Sequence, residues 1–298
     1  MGMTVNRIIP LTDRGVLAVQ GPETRTFLQG IITNDIGKVD RTRSIYAALL
    51  TPQGKFLFDF IIHDDGSDGV LLESQADRLG DLARRLTMYK LRSKATIADV
   101  SEKMAVTALI GDDAPAAAKL YPGAGNAWRD GDTVACIDPR LAALGARLVH
   151  PADTSIERDG FVQGTLEDYQ AHRMALSVPE AGSDVLVEKS FILESNFEEL
   201  NAVDFAKGCY VGQELTARTK YRGTIRRRLF GITAQGTLPP PGTPIMAGTA
   251  EIGEMRSARD GRGIALIRTD RLEEAGPEAV LLAGDVPVTP VKPDWAAF

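Results

Sequence analysis

The chain contains the run Lys207-Gly208-Cys209-Tyr210-Val211-Gly212-Gln213-Glu214, in which a thiol lies between two glycines. Glycine permits a sharp turn of the backbone or a close approach to a bound group. The residues that follow, from Gln213 to Arg218, favour a helix, so Cys209 is predicted just before a helix N-terminus. The helix dipole, the free N–H groups and the Lys207 ammonium would all stabilise a thiolate there. The alternative is a glycine-rich turn that carries an inert, buried cysteine.

This run, called the signature below, resembles the Lys-Gly-Cys-Tyr-x-Gly-Gln-Glu motif of the YgfZ-type branch of the folate-binding GcvT-like superfamily. Similar residues flank it at 191–196, 200–205 and 217–223. Near the N-terminus, three segments resemble the first domain of that superfamily: Phe27-Leu28-Gln29-Gly30, Thr33-Asn34-Asp35 and Pro52-Gln53-Gly54-Lys55. The resemblance therefore covers most of the chain.

The resemblance implies both a fold and a function. The fold would be α+β, a GcvT-like body of antiparallel sheets with helices, and the cofactor would be tetrahydrofolate. Mitochondrial relatives in this branch act late in the assembly of 4Fe-4S clusters, which implies a similar role here, with Cys209 as the working thiol and a possible single ligand of a cluster. The residues implied to contact the folate are Asn34, Arg173, Lys207, Tyr210, Gln213 and Glu214. Glu214 could equally be a plain helix-capping residue.

The cysteine count limits any cluster site. The chain has two cysteines, Cys136 and Cys209. A self-contained cluster needs four thiolates, or two with histidines, so this chain cannot ligate one alone. The cluster would be shared with a partner, and an A-type iron–sulfur carrier and client iron–sulfur proteins are the expected partners. Cys136 lies in an apolar run and is predicted to be a buried strand residue.

Composition argues against a nucleic-acid-binding protein and a membrane protein. With 298 residues, of which 44% are hydrophobic and 25% charged, the chain is typical of a soluble protein with two or three domains. The net charge of −6 argues against an extended nucleic-acid interface. The N-terminal residues show no secretory signal and no membrane-spanning run, so no membrane association and a cytoplasmic location are expected.

One segment departs from the acidic balance. Six positive charges follow the signature within eleven residues; this segment, called the basic run below, comprises Arg218, Lys220, Arg222, Arg226, Arg227 and Arg228. A solvated basic face is one interpretation. The other is an anion site, for the glutamate tail of folate or for an acidic partner surface.

A hairpin is predicted from the apolar runs Ile45–Leu50 and Phe56–Ile62, separated by a Pro-Gln-Gly turn. Its second strand carries Asp59 between two phenylalanines, so Asp59 is either a partly enclosed acid suited to act as a general base or a residue on an exposed face. In the one-carbon transferases of the superfamily, an acidic residue after a similar turn works near the folate, and Asp59 is the candidate for that position.

A second segment resembles the family pattern incompletely. The run from Arg173 to Pro179 is similar to Arg-x-x-x-Gly-x-Pro, but Ser177 replaces the usual glycine. The transferases carry a folate-binding glutamate at about the position of Ala175, and its absence here argues against transferase chemistry.

Two further patterns complete the domain prediction. Ser74 with Asp77 forms a capping box before an amphipathic helix. After Arg228, short strands with Gly and Pro turns, including Asp260-Gly261, predict a small β-barrel. The predicted domains are 1–223, with a possible split near residue 100, and 224–298.

Three functions are compared. The first is a tetrahydrofolate-binding accessory factor that assembles or repairs iron–sulfur clusters through Cys209. The second is a tetrahydrofolate-dependent transferase of aminomethyl or methyl groups with Asp59 as base. The third is an RNA-modification accessory that acts through the basic run, which the net acidity disfavours. The sequence leaves catalytic turnover open and favours a non-enzymatic assembly factor over an enzyme.

Overall fold

A computed structural model describes residues 5–298. The described chain forms two compact units. Unit 1 comprises residues 5–50, Phe58–Tyr169 and Leu200–Val211, and unit 2 comprises Thr51–Leu57, Gln170–Glu199 and Gly212–Phe298. These units do not test the predicted domain boundary at residue 224, which stays a prediction.

The strands of unit 1 form two sheets. In chain order they are β1 (Arg7–Pro10), β2 (Arg14–Gln20), β3 (Ile45–Leu50), β4 (Phe56–Asp64), β5 (Val70–Gln75), β6 (Thr96–Asp99), β7 (Met104–Ile110), β8 (Ala127–Asp130), β9 (Thr133–Ile137), β10 (Ala146–Pro151) and β11 (Val162–Gln163). The helices are α1 (Thr24–Gln29), α2 (Leu79–Lys90), α3 (Ala114–Ala117) and α4 (Leu166–Ala175), of which α4 continues into unit 2.

The first sheet has the order β3-β4-β5-β2-β6 and the second β11-β1-β7-β10-β9-β8. The neighbouring pairs β2–β5, β4–β5, β1–β7 and β7–β10 are antiparallel, and the short β11 is parallel to β1. Apolar side chains from both sheets, among them Ile9, Val16, Leu71 and Val149, form one buried cluster. Strands β3 and β4 are buried along their whole length, which explains why the sequence shows them as continuous apolar runs.

Unit 2 contains a closed barrel. Its strands are β12 (Arg227–Thr233), β13 (Pro244–Ala247), β14 (Ala250–Arg259), β15 (Arg262–Arg268), β16 (Leu281–Ala283) and β17 (Val286–Val291), and its helices are α5 (Gln213–Arg222) and α6 (Thr269–Ala275). The barrel order is β12-β15-β14-β13-β16-β17. Asp260 and Gly261, with φ of 48° and 73°, form the two-residue turn between β14 and β15. The barrel core contains Ile245, Ile252, Met255 and Ile267.

The predicted α+β class with a C-terminal barrel is confirmed. The predicted capping box is wrong. Ser74 lies within β5, where its hydroxyl donates a hydrogen bond of 2.7 Å to the Asp59 carbonyl oxygen, and α2 begins only at Leu79. Across residues 5–298, no helix combines the length and the apolar character needed to span a membrane.

Candidate functional site

Residues 207–211, the first five of the signature, form a loop that is called the signature loop below. This loop is attached to the C-terminal end of α1 within unit 1. The Lys207 ammonium donates to the carbonyl oxygens of Gln29 at 2.7 Å and Ile32 at 2.6 Å. The Gln29 amide returns a hydrogen bond of 3.2 Å to the Lys207 carbonyl, and Val211 N–H donates to the Gly30 carbonyl at 3.2 Å. Helix C-termini leave carbonyl groups without helical partners, and a cation satisfies them well. The loop is therefore held at both of its ends.

Lys207 itself is half-buried. Burial lowers the pKa of its ammonium to about 8, while the nearby Asp35 and Asp204 carboxylates oppose the change. The ammonium lies 5.0 Å from the centre of the Tyr210 ring, and Tyr210 is buried. The contacts of Lys207 thus fix the loop. Its predicted role in activating the thiol stays a prediction.

Cys209 is exposed at the outer part of this loop. Gly208 has a φ of 92°, and a Cβ added there would meet no atom within 4 Å, so the space beside Gly208 itself is open. Gly212 has a φ of 82° and is the N-cap of α5, which begins at Gln213. Both glycines therefore have the left-handed conformation that other residues rarely adopt. The sequence alternative of a buried, inert cysteine does not describe Cys209.

Cys136, unlike Cys209, is buried. It lies in the middle of β9 with no exposed surface, as the sequence predicted. Burial, followed by the nearby Asp138 and Glu73 charges, raises the pKa of its thiol far above the ordinary value. Of the two cysteines in the chain, Cys209 is the exposed one.

Asn34 contacts the segment that precedes the signature. Its side-chain amide donates to the carbonyl oxygens of Tyr46 at 2.9 Å and Asn201 at 2.8 Å, and its side-chain oxygen accepts from Asp35 N–H at 2.8 Å. Thr33 adds a hydrogen bond of 2.7 Å to the Ala202 carbonyl. These contacts position the segment that leads into the signature.

Asp59 is buried in β4, with 7% of its surface exposed, so the exposed-face alternative does not apply. The Tyr46 hydroxyl donates to its carboxylate at 2.7 Å. Burial, and then the Asp59 charge, raises the pKa of Tyr46 well above its ordinary value, so the hydroxyl remains a donor. The Arg140 guanidinium lies 5.9 Å from the Tyr46 ring centre. The role of Asp59 as a base stays a prediction.

Arg173 lies on α4 in unit 2 and is 3% exposed. Its guanidinium donates to the Val178 carbonyl at 2.6 Å and to the Asp184 carboxylate at 3.1 Å, and lies 3.6 Å from Glu180. These contacts hold the turn after α4. Ser177, in that turn, has a φ of 55°, which explains why glycine is usual at this position of the family pattern.

Gln213 and Glu214 form the first turn of α5 in unit 2. Gln213 is half-buried and Glu214 is exposed. The N-cap residue, Gly212, offers no side-chain acceptor, and an acidic residue in the first turn interacts favourably with the helix dipole. The geometry of Glu214 fits this helix-start role, which the sequence left open.

Sequence reasoning missed a buried ionic network in unit 1. Glu73 has no exposed surface and accepts from Arg14 at 3.0 Å and from Arg147. Arg147 also donates to Asp138 at 2.7 Å, and Arg140 donates to Asp138 through two nitrogens at 3.0 and 2.8 Å. The available signal was a charged residue inside an apolar strand, as in Val70-Leu71-Leu72-Glu73.

The charges in this network compensate one another. Burial is the largest single influence and would raise the pKa of Glu73, but Arg147, His63 and Arg14 together outweigh it and leave the pKa well below its ordinary value. Burial is likewise outweighed at Asp138, where Arg140 and Arg147 lower the pKa to about 2. Both carboxyl groups therefore remain ionised at neutral pH, which stabilises the arginines between them.

Comparisons with known proteins agree with this architecture. Residues 7–122 match the N-terminal domain of GCVT, and residues 226–298 match the C-terminal β-barrel domain of CAF17. The solved structure of glycine cleavage system aminomethyltransferase T from Bartonella henselae superposes with a TM-score of 0.77, covering 99% of this chain and 87% of that chain at 15% identity. At that identity the likeness shows the fold alone, which is GcvT-like.

Relatives at higher identity cover almost the whole chain. The mitochondrial iron-sulfur cluster assembly factor IBA57 of Mus musculus is 33% identical over 306 residues, which cover 96% of this chain and 84% of the mouse protein. The Homo sapiens protein of the same name is 34% identical with the same coverage of both chains. The chain belongs to the IBA57 family. The IBA57 homolog of Neurospora crassa is 37% identical over 231 residues, which cover 74% of this chain and 52% of that protein.

Membership of the IBA57 family corrects one prediction. The cytoplasmic location expected from the N-terminal sequence is wrong by this comparison, because the named IBA57 relatives are mitochondrial proteins. The absence of a recognisable secretory signal did not identify the compartment.

Proposed function

We propose that this chain is an accessory factor for the assembly or repair of iron–sulfur clusters in client proteins. The observation that carries the proposal is the exposed Cys209 thiol on a loop that Lys207 and Val211 attach to the end of α1. The assembly function printed in the names of the mouse and human relatives supports it.

Cys209 would supply one thiolate to a cluster shared with a partner. The cluster is cargo, and it needs ligands that this chain lacks, since Cys136 is enclosed in β9. An A-type iron–sulfur carrier is the proposed source of the remaining thiolates, and client iron–sulfur proteins are the proposed recipients. The exposure of Cys209 gives such a partner access to the sulfur.

Tetrahydrofolate is the cofactor that the sequence resemblance implies. Three of the residues implied to bind it already have partners within the protein. The polar atoms of Asn34 and Arg173 are engaged within the protein, and the Lys207 ammonium has two backbone partners, so these three do not fit as direct ligands. No step of the proposed assembly function passes through folate. Direct titration of the protein with tetrahydrofolate tests binding independently.

The deciding experiment is anaerobic cluster reconstitution with the wild type and Cys209→Ser, each alone and mixed with an A-type carrier, followed by visible absorption and EPR. We expect a cluster that forms with the wild-type mixture, differs from that of the carrier alone, and is lost with Cys209→Ser. Cys136→Ala is the matched control and should retain the shared cluster. An identical cluster in the Cys209→Ser mixture would overturn the proposal.

A folate-dependent one-carbon transferase is the second candidate. It is favoured by the buried Asp59 carboxylate with the Tyr46 hydroxyl 2.7 Å away, since a buried acid with an oriented hydrogen bond suits proton transfer. Ala175, at about the position of the transferase glutamate, argues against it. Turnover of a methylated amine with tetrahydrofolate, abolished by Asp59→Asn, would favour this candidate, and absence of turnover would remove it.

A further inference from the structure

A cavity of about 510 Å³ lies in unit 2, among the end of α5, the start of β12, the start of α6 and the C-terminal segment. The basic run predicted from the sequence contributes to its lining, through Lys220 and Arg228. The cavity lining contains no residue of the signature or of the proposed cluster site. Ligand cavities in proteins are commonly about 300–1,000 Å³, so the volume suits a small molecule.

One side of the cavity is apolar. The Phe230 and Phe298 rings contact each other at a centroid separation of 5.6 Å with an angle of 60° between them, and Leu272 lies on the same lining. Phe230 is buried in the barrel wall, which fixes its ring. Such a wall suits the flat face of an aromatic group.

The lining is also cationic beside the Phe298 ring. The Arg228 guanidinium lies 4.5 Å from the Phe298 ring centre, and the Lys292 ammonium lies 4.9 Å from the same ring. Arg228 is buried and is partly neutralised by Glu199, whose carboxylate accepts its hydrogen bond at 2.8 Å. Lys292 is exposed, and among residues 5–298 no carboxylate oxygen lies within the 4.0 Å of an ion pair with it.

An anion near the Phe298 ring would meet both of these cations. Among the described residues on this lining, Glu273 has the single carboxylate side chain, and it is exposed on α6. An anion that carries an aromatic body would satisfy both the apolar and the cationic lining of the cavity. Its charge would lie near Lys292 and Arg228, and its ring against Phe230, Leu272 and Phe298.

We propose that this cavity binds a small aromatic anion, with a phosphate or carboxylate group, at a site separate from the proposed cluster function. The volume of the cavity and its mixed aromatic and cationic lining favour a small molecule. The shared chemistry of phosphate and carboxylate is what Arg and Lys recognise.

Phenyl phosphate is the probe, measured against the full chain by ligand-observed NMR and by its effect on the thermal midpoint. Lys292→Met is expected to weaken binding about two- to fivefold, as the loss of an exposed charge contact. Thr224→Trp, which fills the cavity from an exposed lining position, is expected to abolish binding while leaving the cationic groups in place. Lys103→Met, at an exposed lysine of unit 1, is the matched control and should leave binding unchanged.

A change in the opposite direction makes the test sharper. Glu273→Gln should strengthen phenyl phosphate binding about twofold, because it removes an acid from the lining, whereas Glu274→Gln, next to it but outside the lining, should have no effect. Benzyl alcohol and inorganic phosphate should each bind more weakly than phenyl phosphate. Equal binding by inorganic phosphate, or unchanged binding by Thr224→Trp, would overturn the proposal.

Discussion

Replacing Lys207 by methionine tests how the signature loop is held. The substitution keeps an unbranched side chain of similar length but removes the ammonium that donates to Gln29 and Ile32. It also removes the cation beside the Tyr210 ring, 5.0 Å away. The loop would then be attached to α1 mainly through Val211 and the Gln29 amide.

The magnitude follows from these contacts. A hydrogen bond to a charged group contributes about 1.5–3 kcal/mol and a cation–π contact about 0.5–1 kcal/mol. Since Lys207 is half-buried rather than enclosed, water replaces part of what is lost, and the net cost of the substitution is about 2 kcal/mol. That cost corresponds to an increase of about 30-fold in the equilibrium constant for local opening of the loop.

Native-state hydrogen exchange measures this opening directly. The reporter is the Val211 amide, whose hydrogen bond to Gly30 closes the loop. Exchange of that amide should accelerate about 30-fold in Lys207→Met. Lys38→Met is the control, because the Lys38 ammonium contacts Asp204 at 2.7 Å but its side chain is 45% exposed, so the pair contributes no more than about 1 kcal/mol.

The reasoning fails if Val211 exchanges no faster in Lys207→Met than in Lys38→Met. That result would mean that the backbone hydrogen bonds alone order the loop. The geometry of the Lys207 ammonium would then have no energetic consequence for the presentation of Cys209.

Three further predictions rest on burial and charge. Iodoacetamide should modify Cys209 in the native protein and Cys136 only after unfolding, as peptide mass spectrometry would show; native labelling of Cys136 would contradict its burial. Glu73→Gln should lower the free energy of unfolding by about 3 kcal/mol or more and Glu102→Gln by less than about 0.5 kcal/mol, as urea curves would show. Because the folded pKa of Glu73 is lowered, its stabilisation is fully present above the ordinary value of 4.5 and is lost as the pH falls below it. The Lys207 ammonium should titrate with a pKa of about 8, as NMR would show. Between pH 8 and its ordinary pKa of 10.5, Lys207 binds more protons in the unfolded chain than in the folded one, so the free energy of unfolding should rise with pH over that range.

The parts of the fold that were predictable depend on local patterns. Strands β3 and β4 are continuous apolar runs because both faces are buried, and the Asp260-Gly261 turn marks a hairpin because it needs two residues with positive φ. The capping box at Ser74 failed because pairing of β5 with its neighbours outweighs a local helix-start pattern. A residue buried in a strand cannot cap a helix.

The parts that were not predictable depend on distant partners. Arg147 is 74 positions from Glu73, and only the packing of two sheets brings them together. Lys207 also depends on distant partners, because Gln29 at the end of α1 and Ile32 just after it are more than 170 positions away. The sequence motif identified Cys209 as the informative residue, but it could not show that the neighbouring lysine contacts a helix end.

Under the proposed function, a single exposed thiol would favour transfer of a cluster over its storage. A cluster that takes one ligand from this chain leaves it when one iron–sulfur bond breaks, so the partner's ligands govern how long the cluster stays. Recruiting Cys136 as a second ligand would require β9 to separate from β8 and β10, with which it pairs at that residue. Separating β9 from these strands would also disrupt the buried Asp138–Arg147 contact beside it. Breaking such a buried pair is costly, so recruitment of Cys136 as a second ligand is disfavoured. Under the proposed function, this chain would therefore supply one ligand, Cys209, to the shared cluster.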